Sequence, residues 1–317
     1  MGFRENVLSC LGKFPPKPEA ACVRTIDTVD CGTYERRQIA YNVEPDEIVR
    51  AYLLVPKNGA ARQPAIVASH QHAGEYYLGK SEPAGLSKNA MYHYGLDLCL
   101  RGYVVICPDH LAFEDRRPPE YERIENPALE GGNHERYLFC RCITHGTTLQ
   151  AKYLSDLTCA VDALESMDFV DKDRIGAIGH SLGGQETLWL SWFDERIKAG
   201  VSSCGFGQLG TIMRDHILHN LAMFTFGFFE KAGDIQELIK DMAPRAFMMT
   251  NGLRDPLFPV DGVREIIRQA EEQYAKMGVP DHFQSILFDG EHSLPDTVKE
   301  RAYDFLDVML RLPKEPK

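Results

Sequence analysis

Apolar residues in this 317-residue chain change their spacing near Pro56. Before that point, apolar positions recur with a period of two over 23–26, 38–43 and 48–55, and turn residues separate the three runs. A period of two is typical of strands. The pattern predicts a short helix over 5–13, followed by three antiparallel strands.

Short apolar runs rich in β-branched residues follow Pro56 and alternate with helical stretches. The runs lie at 64–69, 103–107, 174–178, 199–203, 245–250 and 283–288. The helical stretches lie at about 86–101, 149–167, 182–193, 260–277 and 296–311. Apolar strands that alternate with helices are typical of a parallel sheet buried on both faces. The chain is therefore predicted to be α/β, with one mostly parallel, doubly wound sheet.

Two segments are longer than connections between strands and helices need to be. They lie at about 110–148, which begins polar and proline-rich, and at about 206–242, which contains the aromatic run 221–229. Long insertions at the carboxyl ends of parallel strands usually build or cover a site. We predict a single domain over 1–317, with antiparallel strands at about 22–55 and two inserted cap segments.

Composition narrows the choice of partners. The chain has 35 Lys+Arg against 46 Asp+Glu, a net charge of −11, which argues against a nucleic-acid partner. Its longest largely apolar stretch has nine residues, well below the roughly 18 that a spanning helix needs, so we expect no membrane partner. Nine cysteines without Cys-x-x-Cys spacing, and the lack of a secretory signal, predict a cytoplasmic location. Composition does not decide whether the chain forms a homo-oligomer, and this alternative stays open.

The segment Gly179-His180-Ser181-Leu182-Gly183 matches G-x-S-x-G and indicates a serine nucleophile. It follows an apolar run and opens a helical stretch, which is the context in which the motif forms a strained turn that exposes the serine. Small residues on both sides let strand and helix approach closely, and the helix dipole favours developing negative charge. A glycine-rich turn with an incidental serine is the alternative.

A serine nucleophile needs a base, and the base needs an acid to orient it. Asp255 and His292 each lie just past a predicted strand end, in the chain order nucleophile, acid, base. Loops at the carboxyl ends of parallel strands meet at one edge of the sheet, so we expect Ser181, Asp255 and His292 to come together. Asp289 and Asp261 are rival acids in less suitable positions.

With these residues in place, the chain resembles the α/β-hydrolase superfamily, and within it the dienelactone-hydrolase-like and acetyl-xylan-esterase-like serine esterases. The resemblance covers roughly 35–312. It rests on SHQHAG at 69–74, GHSLGG at 179–184, GLRDPLFP at 252–259 and DGEH at 289–292. It implies a mostly parallel eight-stranded sheet, hydrolysis of esters or related acyl compounds, and a triad of Ser181, Asp255 and His292. Dienelactone hydrolases use a cysteine nucleophile, whereas this chain has serine, which favours carboxylesterase chemistry.

The oxyanion hole is predicted from backbone N–H groups. Leu182, directly after the nucleophile, supplies the first donor. Many relatives carry His-Gly-x in the loop that supplies the second donor, whereas this chain has His70-Gln71-His72. By position, the N–H of His72 is our choice for the second donor, with that of Gln71 as the alternative.

Several further residues are weighed as parts of the site. The expected substrate pocket includes His70, His216, His219, Phe224 and Phe226. His216 and His219 are spaced like a metal-binding pair, but serine hydrolysis needs no metal and we expect none. A G-x-G-x-x-G pattern at 205–210 comes too late in the chain for a dinucleotide fingerprint, so we expect no cofactor.

The leading interpretation is a serine carboxylesterase that forms an acyl-enzyme with a small-molecule ester. The same triad also serves amides, thioesters and acyl transfer, and residues alone do not separate these activities. A prolyl peptidase would want a propeller or other gating domain, for which 317 residues leave no room. A non-catalytic binding protein on the same fold is the alternative of another class.

Overall fold

The computed structural model of the protein describes residues 2–57, 60–117 and 131–310. Nine strands form one sheet in the described residues. They are β1 Arg24–Asp30, β2 Tyr34–Glu44, β3 Glu47–Pro56, β4 Gln63–Ser69, β5 Val104–Pro108, β6 Val170–His180, β7 Ile197–Ser203, β8 Ala246–Gly252 and β9 Phe283–Phe288. Their order across the sheet is β1-β2-β3-β5-β4-β6-β7-β8-β9.

The helices of the described residues are numbered in chain order. They are α1 Phe3–Leu11, α2 Tyr94–Leu100, α3 Gly131–Thr144, α4 Leu149–Glu165, α5 Leu182–Phe193, α6 Leu209–Arg214, α7 Phe228–Ala232, α8 Gln236–Met242, α9 Val260–Lys276 and α10 Asp296–Met309. Short 3-10 turns lie at Ala90–Tyr92, Glu114–Arg116, Leu221–Met223 and Pro280–His282. Four of the helical stretches predicted after Pro56 correspond to α4, α5, α9 and α10. The stretch predicted at about 86–101 is α-helical only over α2, because 86–93 form a loop and the 3-10 turn at Ala90–Tyr92.

The strand pairing confirms the predicted α/β class. Pairs β1–β2, β2–β3 and β3–β5 are antiparallel, and every pair from β5–β4 across to β8–β9 is parallel. The sheet has nine strands rather than the eight that the resemblance implied. The additional strand is β1, which pairs with the outer edge of β2 and is exposed along its whole length.

Both faces of the sheet are buried, and the alternation within one strand shows how. In β4, Ala65 and Val67 pack in the apolar cluster that includes α4, α5 and α9, whereas Ile66 and Ala68 pack in the cluster that includes α2 and α10. A strand covered on both faces needs apolar residues at every position. The continuous apolar run predicted at 64–69 therefore follows from its central place in the sheet.

The parallel register brings several strand ends to one edge. Ser69 at the end of β4 is level with Gly179 of β6, and His180 is level with Ser203 at the end of β7. Gly252 of β8 is level with Phe288 of β9 in the same direction. The loops that follow these strands therefore start side by side, and they carry the residues predicted for the active site.

The two predicted insertions lie at this edge of the sheet. The first contains the turn at Glu114–Arg116 and α3, and the residues 118–130 between them lie outside the described part of the chain. The second contains α6, α7, α8 and the turn at Leu221–Met223. Leu138 of the first and Ala222 of the second share a small apolar cluster with Leu182 at the start of α5. The assignment of the whole chain to one domain stays a prediction.

Within the described residues, no helix has both the length and the apolar character needed to cross a bilayer.

Candidate active site

Ser181 stands on a strained turn between β6 and α5. Its φ of 54° and ψ of −119° place a non-glycine residue in a conformation that costs free energy and occurs mostly at functional sites. Two backbone hydrogen bonds hold it there. The N–H of Ser181 donates to Ser203 O at 2.8 Å, and the carbonyl oxygen of Ser181 accepts from Gln185 N–H at 2.9 Å.

Glycines on both sides make this turn sterically feasible. A Cβ on Gly183 would lie 2.0 Å from the carbonyl oxygen of Ser69, and a Cβ on Gly179 would lie 2.2 Å from the backbone of Gly183. Neither distance allows a side chain. The glycines of the G-x-S-x-G motif are therefore needed because β6, α5 and the end of β4 are in close contact.

His292 and Asp255 are in direct contact. His292 Nδ1 lies 2.8 Å from Asp255 Oδ2, and Asp255 Oδ1 accepts a hydrogen bond from Leu257 N–H at 2.9 Å. The Asp255 side chain is fully buried. A carboxylate only accepts hydrogen bonds, so this contact keeps the proton of a neutral imidazole on Nδ1 and leaves Nε2 as an acceptor.

The two rival acids form ion pairs with arginines. Asp289 forms an ion pair with Arg254, and 79% of its side chain is exposed. Asp261 at the start of α9 forms an ion pair with Arg214 at 2.6 Å. Asp255 is thus the one of these three carboxylates that contacts His292.

Cys204 lies beside this pair. The ligand-type atoms of Cys204, Asp255 and His292 lie within 4.8 Å of one another, a spacing that a metal ion could use. Burial, and then the charge of Asp255, raises the pKa of the Cys204 thiol to about 12, and the thiol donates to Ser293 O at 3.5 Å. The hydrogen bonds found here are those of an Asp–His pair beside a thiol that is bonded to a backbone carbonyl.

A cavity of about 370 Å³ opens beside the serine and histidine. Its polar walls are formed by Gln71, His72, Ser181, His219, Asn220 and His292. Its remaining described walls are formed by Ala73, Gly74, Tyr92, Leu218 and Leu257. No lysine, arginine, aspartate or glutamate of the described residues lines it, so the cavity suits a small, uncharged ligand.

The loop after β4 forms one wall of this cavity and is braced at two neighbouring residues. The side chain of Gln71 donates to Glu82 Oε1 at 2.7 Å. The ring of His72 accepts at Nδ1 from Gly74 N–H at 3.0 Å, and its Nε2 lies 2.9 Å from Glu135 Oε2. Since Nδ1 is an acceptor, the proton is on Nε2 and His72 donates to Glu135.

The carboxylates that brace the loop have opposite pKa shifts. Burial raises the pKa of Glu82 to about 7, and hydrogen bonds from Gln71 offset only part of this. Burial alone would also raise the pKa of Glu135, but hydrogen bonds from His72 and from the Tyr76 hydroxyl, at 2.6 Å, hold it below its ordinary value. Glu135 is therefore ionised at neutral pH.

The predicted oxyanion donors lie close to the serine. Leu182 begins α5, so its N–H has no acceptor inside the helix. Gln71 and His72 line the same cavity as Ser181. The close approach of Gly183 to Ser69 brings the loop after β4 against the start of α5. Which of the two N–H groups is the second donor stays a prediction.

Of the additional residues predicted for the pocket, His219 lines the cavity. Its Nδ1 accepts from Asn220 N–H at 3.0 Å, and burial lowers its pKa to about 4, so the ring is neutral. His70 is fully buried and, contrary to the prediction, is not among the residues that line the cavity. Its Nε2 accepts from His110 N–H at 3.1 Å, which gives it a structural place between β4 and β5.

The structure corrects the other three pocket assignments. His216 is exposed and does not line the cavity. Phe224 lines a different and smaller cavity, formed with α6 and α7. Phe226 is 78% exposed on the surface. The second insertion turns at Leu221–Met223, so only its residues 218–220 reach the site and the aromatic run passes outside it.

Tyr92, Asn220 and Glu135 contribute to the site without having been predicted. Tyr92 and Asn220 line the cavity, and Glu135 holds His72. Asn220 adjoins a predicted pocket residue, which is a weak signal. No local pattern distinguishes Tyr92 or Glu135, because their positions depend on how the connection before α2 and the first insertion pack.

The G-x-G-x-x-G pattern at 205–210 has a packing explanation. A Cβ on Gly205 would lie 2.3 Å from the backbone of Gly184, so this glycine permits α5 to pack against the end of β7. At the other end, Asp234 accepts from the N–H groups of Leu209 and Gly210 at 2.8 and 2.9 Å and so caps α6. Both ends of the pattern are accounted for within the protein.

The fold and the serine on its strained turn define a serine hydrolase with the α/β-hydrolase fold. The chain belongs to the prolyl oligopeptidase family, because the model of that family matches residues 146–310, more than half of the chain. The Bacillus subtilis (strain 168) protein YtaP is 30% identical over 271 residues, which cover 82% of this chain and 83% of YtaP.

Solved structures with the same fold include two esterases. A glucuronoyl esterase from Solibacter usitatus superposes with a TM-score of 0.71 at 15% identity, covering 97% of this chain and 92% of that chain. An acetyl xylan esterase from Paenibacillus sp. R4 superposes with a TM-score of 0.63 at 15% identity, covering 97% and 93%. At these identities the likeness concerns the fold.

Proposed function

We propose that the protein is a serine carboxylesterase that hydrolyses a small-molecule ester through Ser181, His292 and Asp255. The observation that carries the proposal is the 2.8 Å contact of His292 Nδ1 with Asp255, beside a cavity that Ser181 and His292 share. The strained backbone of Ser181 supports it, since such strain is maintained where a side chain must be presented to a substrate.

In this mechanism His292 Nε2 takes the hydroxyl proton as Ser181 Oγ attacks the ester carbonyl. Asp255 holds the imidazole in the required tautomer and stabilises the imidazolium that forms. Collapse of the tetrahedral intermediate expels the alcohol, which receives the proton from His292. Water, deprotonated by His292, then attacks the acyl-enzyme, and the proton returns to Ser181 as the acid leaves.

The negative oxygen of each tetrahedral intermediate would be bound by Leu182 N–H and by the N–H of His72 or Gln71. Backbone donors held in place before the reaction cost little reorganisation, and removal of one such donor raises the barrier by about 3–4 kcal/mol in a protease. The positive end of the α5 dipole adds to this stabilisation. The bracing of the loop by Glu82 and Glu135 supports this assignment.

Ester substrates are favoured over other acyl compounds by the solved structures that share this fold. The names of two of them describe a glucuronoyl esterase and an acetyl xylan esterase. The cavity of about 370 Å³ suits a short acyl group or a small alcohol. Its lack of charged walls among the described residues favours a substrate that is neutral around the ester.

Labelling with a fluorophosphonate, followed by digestion, tests the nucleophile. Wild-type protein is expected to carry the label on Ser181, and Ser181→Ala is expected to lose both the label and the hydrolysis of 4-nitrophenyl acetate. Ser191, a fully buried serine of α5 in the same protein, provides an internal control and should stay unlabelled. Label on another serine, or ester hydrolysis that survives Ser181→Ala, would refute the proposal.

Amide hydrolysis is the second candidate, because the matching family model is described as that of prolyl oligopeptidases. The same triad would serve it, with an amine in place of the alcohol as leaving group. Acetate esters compared with the corresponding anilides, each with Ser181→Ala as control, separate the two activities. A non-catalytic binding role predicts no turnover of either series.

A further inference from the structure

Tyr92 lines the cavity from an unusual position. It ends the short 3-10 turn Ala90–Tyr92 before α2 and packs in the apolar cluster of α2 and α10, whereas the insertions pack in the other two apolar clusters. Its ring stacks on the ring of His180, with centroids 4.7 Å apart and planes 28° apart. The ring is therefore held in one orientation at the cavity wall.

His180 connects Tyr92 with the reacting histidine. The rings of His180 and His292 are 4.8 Å apart, so Tyr92 and His292 pack on the same imidazole. Burial, and then the proximity of His292, lowers the pKa of His180 well below its ordinary value, which keeps this ring neutral. Its Nδ1 is engaged with the Ser203 hydroxyl at 2.9 Å. Tyr92 and His292 thus pack on one ring that does not itself react, and both line the same cavity.

The hydroxyl of Tyr92 forms no hydrogen bond with any residue in the described ranges. Buried tyrosines usually place this group against a partner. Tyr92 is 9% exposed as a residue, and it lines the cavity. Burial, and then the charge of Glu82, raises its pKa to about 12, so the hydroxyl keeps its proton and can donate a hydrogen bond at neutral pH.

The shared contact with His180, and the cavity that Tyr92 and His292 both line, indicate which part of a substrate the hydroxyl would meet. In the proposed mechanism, His292 returns its proton to the oxygen of the departing alcohol. The part of the cavity wall that joins His292 through His180 would therefore face the alcohol part of the ester, while the loop after β4 and Leu182 would face the carbonyl oxygen. Since no charged side chain of the described residues lines the cavity, the partner is an uncharged oxygen.

We propose that Tyr92 is a specificity-determining residue whose hydroxyl donates a hydrogen bond to a second, neutral oxygen in the alcohol part of the substrate. The favoured substrates are then esters of polyols or other alcohols that carry a hydroxyl or ether oxygen close to the ester, rather than esters of plain alkyl alcohols. This inference rests on the proposed esterase function and deepens it.

Two pairs of esters with equal numbers of heavy atoms test the inference. 2-Hydroxyethyl acetate and propyl acetate differ only in the alcohol part, and ethyl glycolate and ethyl propionate differ only in the acyl part. The ratio of kcat/KM within each pair is measured by titration of the released acid. When a hydrogen-bond donor is removed from a site that binds a polar group, the preference for the polar over the apolar substrate falls by roughly ten- to a hundred-fold.

Wild-type enzyme is expected to prefer 2-hydroxyethyl acetate to propyl acetate, and Tyr92→Phe is expected to lower that ratio about ten-fold. The ratio for the acyl pair should not change. Tyr92→Phe keeps the ring that stacks on His180, and the hydroxyl bonds no described residue, so the variant should fold. Tyr137→Phe, the same change at an exposed tyrosine of α3, is the matched control and should alter neither ratio.

Three results would overturn the inference while leaving the esterase function intact. The first is a wild-type enzyme that does not prefer 2-hydroxyethyl acetate to propyl acetate, and the second is a ratio for this pair that Tyr92→Phe leaves unchanged. The third is an equal loss of kcat/KM on all four esters, which would indicate that Tyr92 acts on the reacting carbonyl. If wild-type enzyme hydrolyses none of the four esters, or if Ser181→Ala retains the activity, the proposed function itself fails.

Discussion

His72 Nε2 donates a hydrogen bond of 2.9 Å to Glu135 Oε2, although the two residues are 63 positions apart in the chain. The bond joins the loop after β4 to α3 in the first insertion. The Tyr76 hydroxyl donates to the same carboxylate oxygen at 2.6 Å, so Glu135 binds the loop at two points. The insertion therefore holds the backbone proposed to bind the oxyanion.

Substitution of Glu135 by Ala should lower kcat by roughly ten- to a hundred-fold with little change in KM. The loop would lose its brace, and a donor that stabilises only the transition state affects kcat rather than ground-state binding. Initial rates on 4-nitrophenyl acetate measure both constants. Glu271→Ala, at an exposed site on α9, is the control. A rise in KM with unchanged kcat would show that Glu135 shapes the pocket instead.

Asp255→Asn should lower kcat by about 10³- to 10⁴-fold. An amide can present its N–H group to Nδ1 and so favour the tautomer with the proton on Nε2, which cannot accept the serine proton. Circular dichroism should show an intact fold. Asp289→Asn changes the same group at a side chain that is 79% exposed and should alter kcat less than two-fold, within about 0.4 kcal/mol. Comparable losses of kcat in the two variants would disprove the assignment of Asp255 as the acid that orients His292.

Gly183→Ala should lower the free energy of unfolding by roughly 3 kcal/mol or more, because overpacking against backbone cannot be relieved by a side-chain rotation. The new Cβ would lie 2.0 Å from the carbonyl oxygen of Ser69. Gly132→Ala in α3 is the control, since the nearest atom to its Cβ would be 3.5 Å away. By urea denaturation, the free energy of unfolding of Gly132→Ala should lie within about 1 kcal/mol of the wild-type value. Similar stability of the two variants would argue against the tight turn.

Glu186 should make the protein less stable as pH rises. Burial raises the pKa of Glu186 to about 8, and hydrogen bonds from Gln150 and Gln185 offset part of this. Because the pKa is higher in the folded than in the unfolded state, the folded state binds more protons between the two values. The contribution to stability is fully present below about pH 4.5 and is lost as pH rises through about 8.

The corresponding variant, Glu186→Gln, removes this titration. Urea denaturation at intervals from about pH 5 to about pH 8 should show a smaller fall in the free energy of unfolding for the variant than for wild type. Glu271→Gln, which changes an exposed carboxyl, should reproduce the wild-type slope. An unchanged slope in Glu186→Gln would mean that this carboxyl ionises without cost.

Local patterns were sufficient for most of the architecture. The apolar runs of β4 and β6 and the helical stretch of α5 lie where the sequence predicts them, because each is buried and its periodicity records that burial. The edge strand β1 illustrates the limit. It is exposed throughout, so the pattern at 23–26 predicts only its beginning, and its extent to Asp30 depends on backbone pairing with β2.

The sequence by itself determined the α/β class, the turn that carries Ser181, and the order in which Asp255 and His292 follow it. These features depend on residues close together in the chain or on the common direction of parallel strands. Only the tertiary structure decided that Asp255 contacts His292, that Glu135 braces His72, and that Tyr92 lines the cavity while Phe226 does not. Such contacts join distant segments, and they depend on how the insertions pack, which periodicity along one segment does not record.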